Sequence, residues 1–244
     1  MKILTISDRV ESLLYNERIR THFGDVDLVL SCGDLPLYYL EYIVTMLNVP
    51  LFFVFGNHGE GAEAHGPNAP AIEPAGCINL DGRVANHRGL LIAGLEGSPR
   101  YNQRTRFQHS ESEISQRIRA MWPRLIYNRL RYGRCLDILI THAPPLGIHD
   151  QEDVCHRGFK GHRRFIERFA PRYLIHGHIH IYLPGQTTRT IYGRTEVINT
   201  FGYRVLEIDV PPAPLAPADA GEVNCDEPGY EEKKANGRED HASK

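Results

Sequence analysis

Leu28-Val29-Leu30-Ser31-Cys32-Gly33-Asp34 is the stretch on which the reading of this chain turns. A short apolar run rich in β-formers reads as a buried strand. It ends in a small residue, a glycine and a carboxylate, which puts Asp34 just past the C-terminal edge of that strand. Open α/β sheets bind their ligands at this edge. A carboxylate there can offer one oxygen to each of two cations.

The neighbouring segments repeat the arrangement. Residues 2–7 alternate into a strand that delivers Asp8, and residues 51–55 form a buried strand that runs into Gly56-Asn57-His58. Between these strands the spacing predicts a helix over residues 12–23, stopped by Gly24. A second helix is opened by Pro36 and carries Leu37, Leu40, Ile43, Val44 and Leu47 on one side. Strand, helix, strand, helix, strand, with a polar residue at each strand's end, is the layout of an α/β protein with a mainly parallel sheet.

Beyond a Gly/Ala/Pro-rich loop at residues 59–74, read as a possible substrate rim, the rhythm changes. Residues 77–80, 84–87 and 90–94 read as short strands, with Asp81-Gly82 and Arg88-Gly89 as hairpin turns. Residues 97–106 read as an irregular loop, and residues 110–132 as a long arginine-rich helix that Pro123 kinks or splits. A strand over 137–140 delivers His142, a helix follows over 161–169, and a strand over 173–175 runs into His176-Gly177-His178-Ile179-His180. A hairpin around Gly193 and a closing strand over 203–210 imply a second, more antiparallel sheet.

The bulk numbers narrow the class. The chain has 244 residues, 41% hydrophobic and 24% charged, which is one sizeable core with a tail. Five scattered cysteines without a C-x-x-C pair argue against a disulfide scaffold or structural zinc module, and fit a reducing, cytoplasmic setting. No apolar run reaches the roughly 18–20 residues of a membrane span. Residues 211–244 carry eight acids against four bases, so the net charge of −2 leaves a body of about +2. That Pro/Ala-rich, then acidic segment lacks core material and is expected to be a disordered tail after a domain spanning residues 1–210. Arginine-rich segments could favour an anionic substrate. No nucleic-acid-binding module is recognisable, which disfavours a nucleic-acid enzyme.

The strand ends deliver Asp8, Asp34, Asn57 with His58, His142, and His178 with His180. Carboxylate, amide and imidazole together suit Mn²⁺, Fe, Zn²⁺, Co²⁺ or Ni²⁺. Taken singly, a histidine at a strand end is more often a solvated side chain; the joint pattern is much harder to dismiss. The other histidines, His149, His156 and His176 among them, read as surface or supporting side chains.

The ordered blocks Ser7-Asp8-Arg9-Val10, Gly33-Asp34, Gly56-Asn57-His58-Gly59, Thr141-His142 and Gly177-His178-Ile179-His180 resemble the motifs of the calcineurin-like metallophosphoesterase superfamily. The resemblance covers residues 1 to about 210. It implies two packed mixed β-sheets flanked by helices, and two divalent metal ions, with manganese the first choice. It also implies hydrolysis of a small phosphomonoester or phosphodiester by water activated on those ions. In this reading Asp34 bridges the metals. Asn57, His142 and His178 complete one site, Asp8 and His180 the other, and His58 acts at the leaving group.

Two positions depart from the pattern. Val10 stands where the family has a histidine ligand, which weakens the Asp8 and His180 site. Gly59 stands where an acid usually follows the motif histidine. Arg9 is a poor ligand but could reach a substrate phosphate. The superfamily also includes the retromer scaffold subunit, which uses the fold for protein contacts, so a non-catalytic scaffold is the rival reading.

Overall fold

In the computed structural model, which describes residues 1–58, 72–102 and 106–211, the run around Leu28 is a strand with every residue buried. The elements run β1 (Lys2–Ser7), α1 (Ile19–Phe23), β2 (Leu28–Ser31), α2 (Leu37–Leu47), β3 (Leu51–Phe53) and β4 (Ile78–Asn79). Next come β5 (Val84–His87), β6 (Leu90–Leu95), β7 (Ser98–Pro99), β8 (Gln108–His109), α3 (Glu111–Tyr132) and β9 (Ile138–Thr141). The last are α4 (Lys160–Phe169), β10 (Tyr173–His176), β11 (Arg189–Tyr192), β12 (Thr195–Asn199) and β13 (Gly202–Glu207).

One sheet has the order β13-β1-β2-β3-β4 and is parallel except for β13. The other has the order β11-β12-β10-β9-β6-β5. Its four middle strands are parallel and its two edges antiparallel.

Successive side chains of a strand go to opposite faces, and here both faces are apolar. Ile3, Leu28 and Leu30 share one cluster with Ile92, Ile138, Ile140, Ile175 and Ile198 of the second sheet. Leu4, Ile6 and Val29 pack instead with Ile19, Tyr39, Leu40 and Ile43 of α1 and α2. Leu91, Leu139, Leu174 and Val197 pack with Ile114, Ile118, Leu125, Phe165 and Ile166 of α3 and α4. The order of layers is therefore helix, sheet, sheet, helix. Strands covered on both faces read as unbroken apolar runs. Each buried Leu or Ile contributes about 1.5–3 kcal/mol, so the layer between the sheets holds their strand ends side by side.

Several expectations change. Only Ile19–Phe23 of the expected 12–23 helix is helical. The Asn16 side chain donates to the Ser12 carbonyl and accepts from the Arg18 amide, so it competes with helix hydrogen bonds over the first half. Asp81-Gly82 is not a hairpin turn. β4 is the edge of the first sheet and β5 the edge of the second, and this turn carries the chain across between them. Asp81 anchors the crossing by accepting from the Glu96 amide and from Arg117 Nε, both at 3.0 Å.

α3 runs unbroken through Pro123, held by a Ser110/Glu113 capping box and by its buried stripe Ile114, Ile118, Met121 and Leu125. The second sheet is parallel at its centre, not mainly antiparallel, because β6, β9, β10 and β12 are joined by crossovers. The closing strand β13 belongs to the first sheet. The expected 97–106 loop opens with β7, which pairs in parallel with β8 just beyond it. Residues 59–71 of the expected rim loop, and all but the first residue of the expected tail, lie outside the described residues. Among the described residues no helix is long and apolar enough to cross a membrane.

Candidate metal centre

The C-terminal ends of β1, β2 and β3 in one sheet and of β9 and β10 in the other supply Asp8, Asp34, Asn57, His142 and His178. Ligand atoms of Asp34, His142 and His178 all lie within 4.8 Å of one another. His142 Nε2 is 3.3 Å from Asp34 Oδ2 and 3.0 Å from Asn57 Oδ1. The His142 and His178 rings meet edge to face at 4.7 Å. These four residues form the first half of the centre.

The backbone is arranged around them at a cost. Asp8, Asp34 and His178 adopt left-handed conformations, with φ of 63°, 54° and 65°. Each such residue costs about 1–3 kcal/mol, and strain of this kind gathers at functional sites. The neighbouring glycines are sterically required. A Cβ on Gly56 would fall inside the Asp34 carboxylate, and one on Gly177 would fall on Ser7 Oγ and the Asp8 carboxylate.

Backbone carbonyls fix both rings. The Cys32 carbonyl accepts from His142 Nδ1 at 2.7 Å, and the Cys155 carbonyl accepts from His178 Nε2 at 2.8 Å. Such contacts set the tautomer of a metal-bound histidine. They leave His142 Nε2 and His178 Nδ1 for the centre. On the other side Tyr101 accepts from Asn57 Nδ2 at 3.1 Å through its hydroxyl, so the amide oxygen of Asn57 points towards His142.

Charge follows geometry. Burial pulls His142 towards the neutral form, but the charge and hydrogen bond of Asp34 lift its pKa to about 9. Burial likewise raises Asp34, yet the His142 charge and bond and the His58 amide hold its carboxyl well below the usual range. His178, lowered by burial and by the His142 charge to about 4, is a neutral imidazole. Without a cation, then, a proton on His142 Nε2 faces the oxygens of Asp34 and Asn57. Carboxylate, amide oxygen and two oriented imidazoles fit a divalent cation in its place.

The second half is looser. Both oxygens of Asp8 accept from the His178 amide, at 3.0 and 2.9 Å. His180 Nε2 lies 3.8 Å from Asp8 Oδ1, and its Nδ1 shares a 2.6 Å hydrogen bond with the Tyr182 hydroxyl. The Asp8 carboxylate beside it raises the His180 pKa. Val10 offers no donor. Arg9 does not reach into the centre: its Nε donates to Glu11 at 2.7 Å and its guanidinium lies 5.3 Å from the Phe201 ring centre.

His58 is exposed, and its amide donates to Asp34 Oδ1 at 2.8 Å. His176 is buried behind the ligand turn, where its Nδ1 donates to the Gly177 carbonyl at 2.9 Å and its Nε2 bonds His149. Sequence reasoning missed Tyr101 and the carbonyls of Cys32 and Cys155. Tyr101 lies in the 97–106 segment read as a loop; the carbonyls carry no sequence signal.

A family model described as calcineurin-like phosphoesterase matches residues 1–182. No curated protein matches in sequence. The crystal structure of TT1561 of Thermus thermophilus superposes with a TM-score of 0.53 at 15% identity, over 82% of this chain and 89% of that one. A further crystal structure gives 0.58 at 17% identity, over 84% and 94% of the two chains. A Vps29 single mutant from Entamoeba histolytica gives 0.42 at 13% identity, over 86% and 87%. At these identities the first two likenesses show the fold alone.

Proposed function

The chain belongs to the calcineurin-like phosphoesterase family, whose members typically bind divalent metals, and on that premise we propose that it hydrolyses a small phosphomonoester or phosphodiester. The observation that carries the reading is the joint strain and convergence at the strand ends. Asp34, His142 and His178 are brought within 4.8 Å of one another, and two of the three are left-handed. A scaffold has no physical need of that expense.

Asp34, Asn57, His142 and His178 would hold a first ion, and Asp8 and His180, with Asp34, a weaker second. A bound ion supplies Lewis acidity and brings the pKa of its water towards ~7. The chain's own residues do the rest. The His58 amide and His142 hold the Asp34 carboxylate in place, and the His178 amide ties Asp8 to the first half. The Cys32 and Cys155 carbonyls keep both imidazoles aimed. His58, exposed beside Asp34, donates a hydrogen bond or proton to the leaving oxygen of the ester.

The test is hydrolysis of an activated phosphodiester and an activated monoester by metal-stripped protein given Mn²⁺, with Asp34→Asn alongside. We expect metal-dependent turnover that drops at least ~100-fold in the variant, since even partners of metal ligands cost 10–100-fold. Wild-type turnover in Asp34→Asn overturns the assignment. No turnover with Mn²⁺, Co²⁺, Ni²⁺ or Zn²⁺ favours the scaffold reading, to which the ligand missing at Val10 already points.

A further inference from the structure

Next to the first half of the centre, the loop before α4 presents a second set of donors. Asp153, Cys155 and His156 each place a ligand atom within 4.8 Å of the others. We infer that these three residues form a separate site for a borderline divalent cation of the zinc class.

Carboxylate, thiolate and imidazole are the donors zinc takes, and three protein ligands with a water complete its tetrahedron. His156 Nδ1 is 3.0 Å from both carboxylate oxygens of Asp153, so imidazole and carboxylate already face one point. Asp153 Oδ1 also accepts from the amides of Cys155 and His156 at 3.1 Å, which fixes the carboxylate against its own turn.

Contacts outside the cluster hold the loop. The Cys155 carbonyl accepts from His178, the Asp150 carboxylate accepts from the amides of Gly147 and Gly158, and the Gln151 amide donates to the His156 carbonyl. The loop therefore presents the donors without needing the cation to order it. On coordination the Cys155 thiol proton passes to solvent and the sulfur lone pair forms the bond to the ion.

The site shares no ligand with the centre described above, yet it adjoins it: the His156 and His178 rings are 5.2 Å apart. A cation there adds positive charge at the rim, next to where an anionic ester would bind. It also separates the two centres chemically, because only this one contains sulfur.

Cobalt reads that difference. The full-length, metal-stripped chain is titrated with Co²⁺ and followed in the near-ultraviolet, where thiolate-to-cobalt charge transfer absorbs. We expect the band in the wild type, in Asp34→Asn and in Cys32→Ser, and its loss in Cys155→Ser together with one equivalent of bound cobalt. Asp153→Asn should keep the band but weaken the affinity behind it at least ~10-fold. No band at saturating Co²⁺, or a band that survives Cys155→Ser, overturns the site. A band lost in Asp34→Asn shows that the sulfur reaches the neighbouring centre, and overturns a separate site. None of these readouts depends on phosphoester hydrolysis.

Discussion

The two halves of the candidate metal centre grow from the same kind of strand end, yet one is closed and the other open. Around His142 every polar atom has a partner: the Cys32 carbonyl behind it, Asp34 and Asn57 in front. Around His180 the ring is half exposed, its nearest carboxylate oxygen is 3.8 Å away and a hydroxyl holds its other nitrogen. Asp8 itself is committed to the His178 amide. The closed half is organised before any ion arrives; the open half needs an ion, or a missing side chain, to be drawn together. The difference lies in the outer contacts more than in the ligands, since both halves own a carboxylate and at least one imidazole.

Restoring the missing donor is the most direct way to erase the contrast. Val10→His returns an imidazole to the position the family pattern assigns, and the second ion should bind ~10–100-fold more tightly, with the first site unchanged. Calorimetric titration resolves the two steps. If only the first step moves, Val10 does not face the open half.

Proton competition sharpens the contrast from the other side. His142, at about 9, is charged at neutral pH, so an ion entering the closed half must displace its proton. Below that pKa the apparent affinity should rise about tenfold per pH unit, with ~1 proton released per ion at pH 7. Calorimetry in buffers of different ionisation enthalpy counts it. The metal-free fold should show the opposite trend. His142 is raised above its ordinary 6.5, so its contribution is full below pH 6.5 and is lost as pH rises through about 9. Asp34 is lowered from 3.8, so its contribution holds above that value and fades as pH falls towards its depressed pKa. The Tm of the stripped protein should therefore fall between pH 6.5 and about 9 and level off above it, while the shift in Tm given by added metal grows over the same range.

How much of this was legible in the sequence follows from how each residue acts. The proposed ligands Asp8, Asp34, Asn57, His142, His178 and His180 offer side-chain donors at or just past strand ends, so strand patterning could point to each of them. Cys32 and Cys155 act through carbonyls, which every residue has, and their partners lie 110 and 23 positions away. No composition or spacing marks such a role. The fold shows the same division. Strands buried on both faces were plain from their apolar runs, whereas membership of β4 and β13 depended on pairing between distant segments. The lost half of the 12–23 helix came down to one side chain, Asn16, with two backbone partners of its own.

Tyr101 tests whether outer contacts really make the difference. Its hydroxyl accepts from Asn57 Nδ2 and so decides which way the Asn57 amide faces. An amide turned over would present its NH2 group to His142 and to any cation, which repels both. Tyr101→Phe removes the acceptor but keeps the ring, and a single hydrogen bond is worth about 0.5–1.5 kcal/mol. The closed half should thus lose about two- to tenfold in metal affinity, the open half nothing, and Tm little. A loss shared equally by both steps would mean that Tyr101 supports the fold and does not orient a ligand; no loss at all would mean that Asn57 is held by His142 alone. Either result would move the source of the closed half's order from its surroundings back to its ligands.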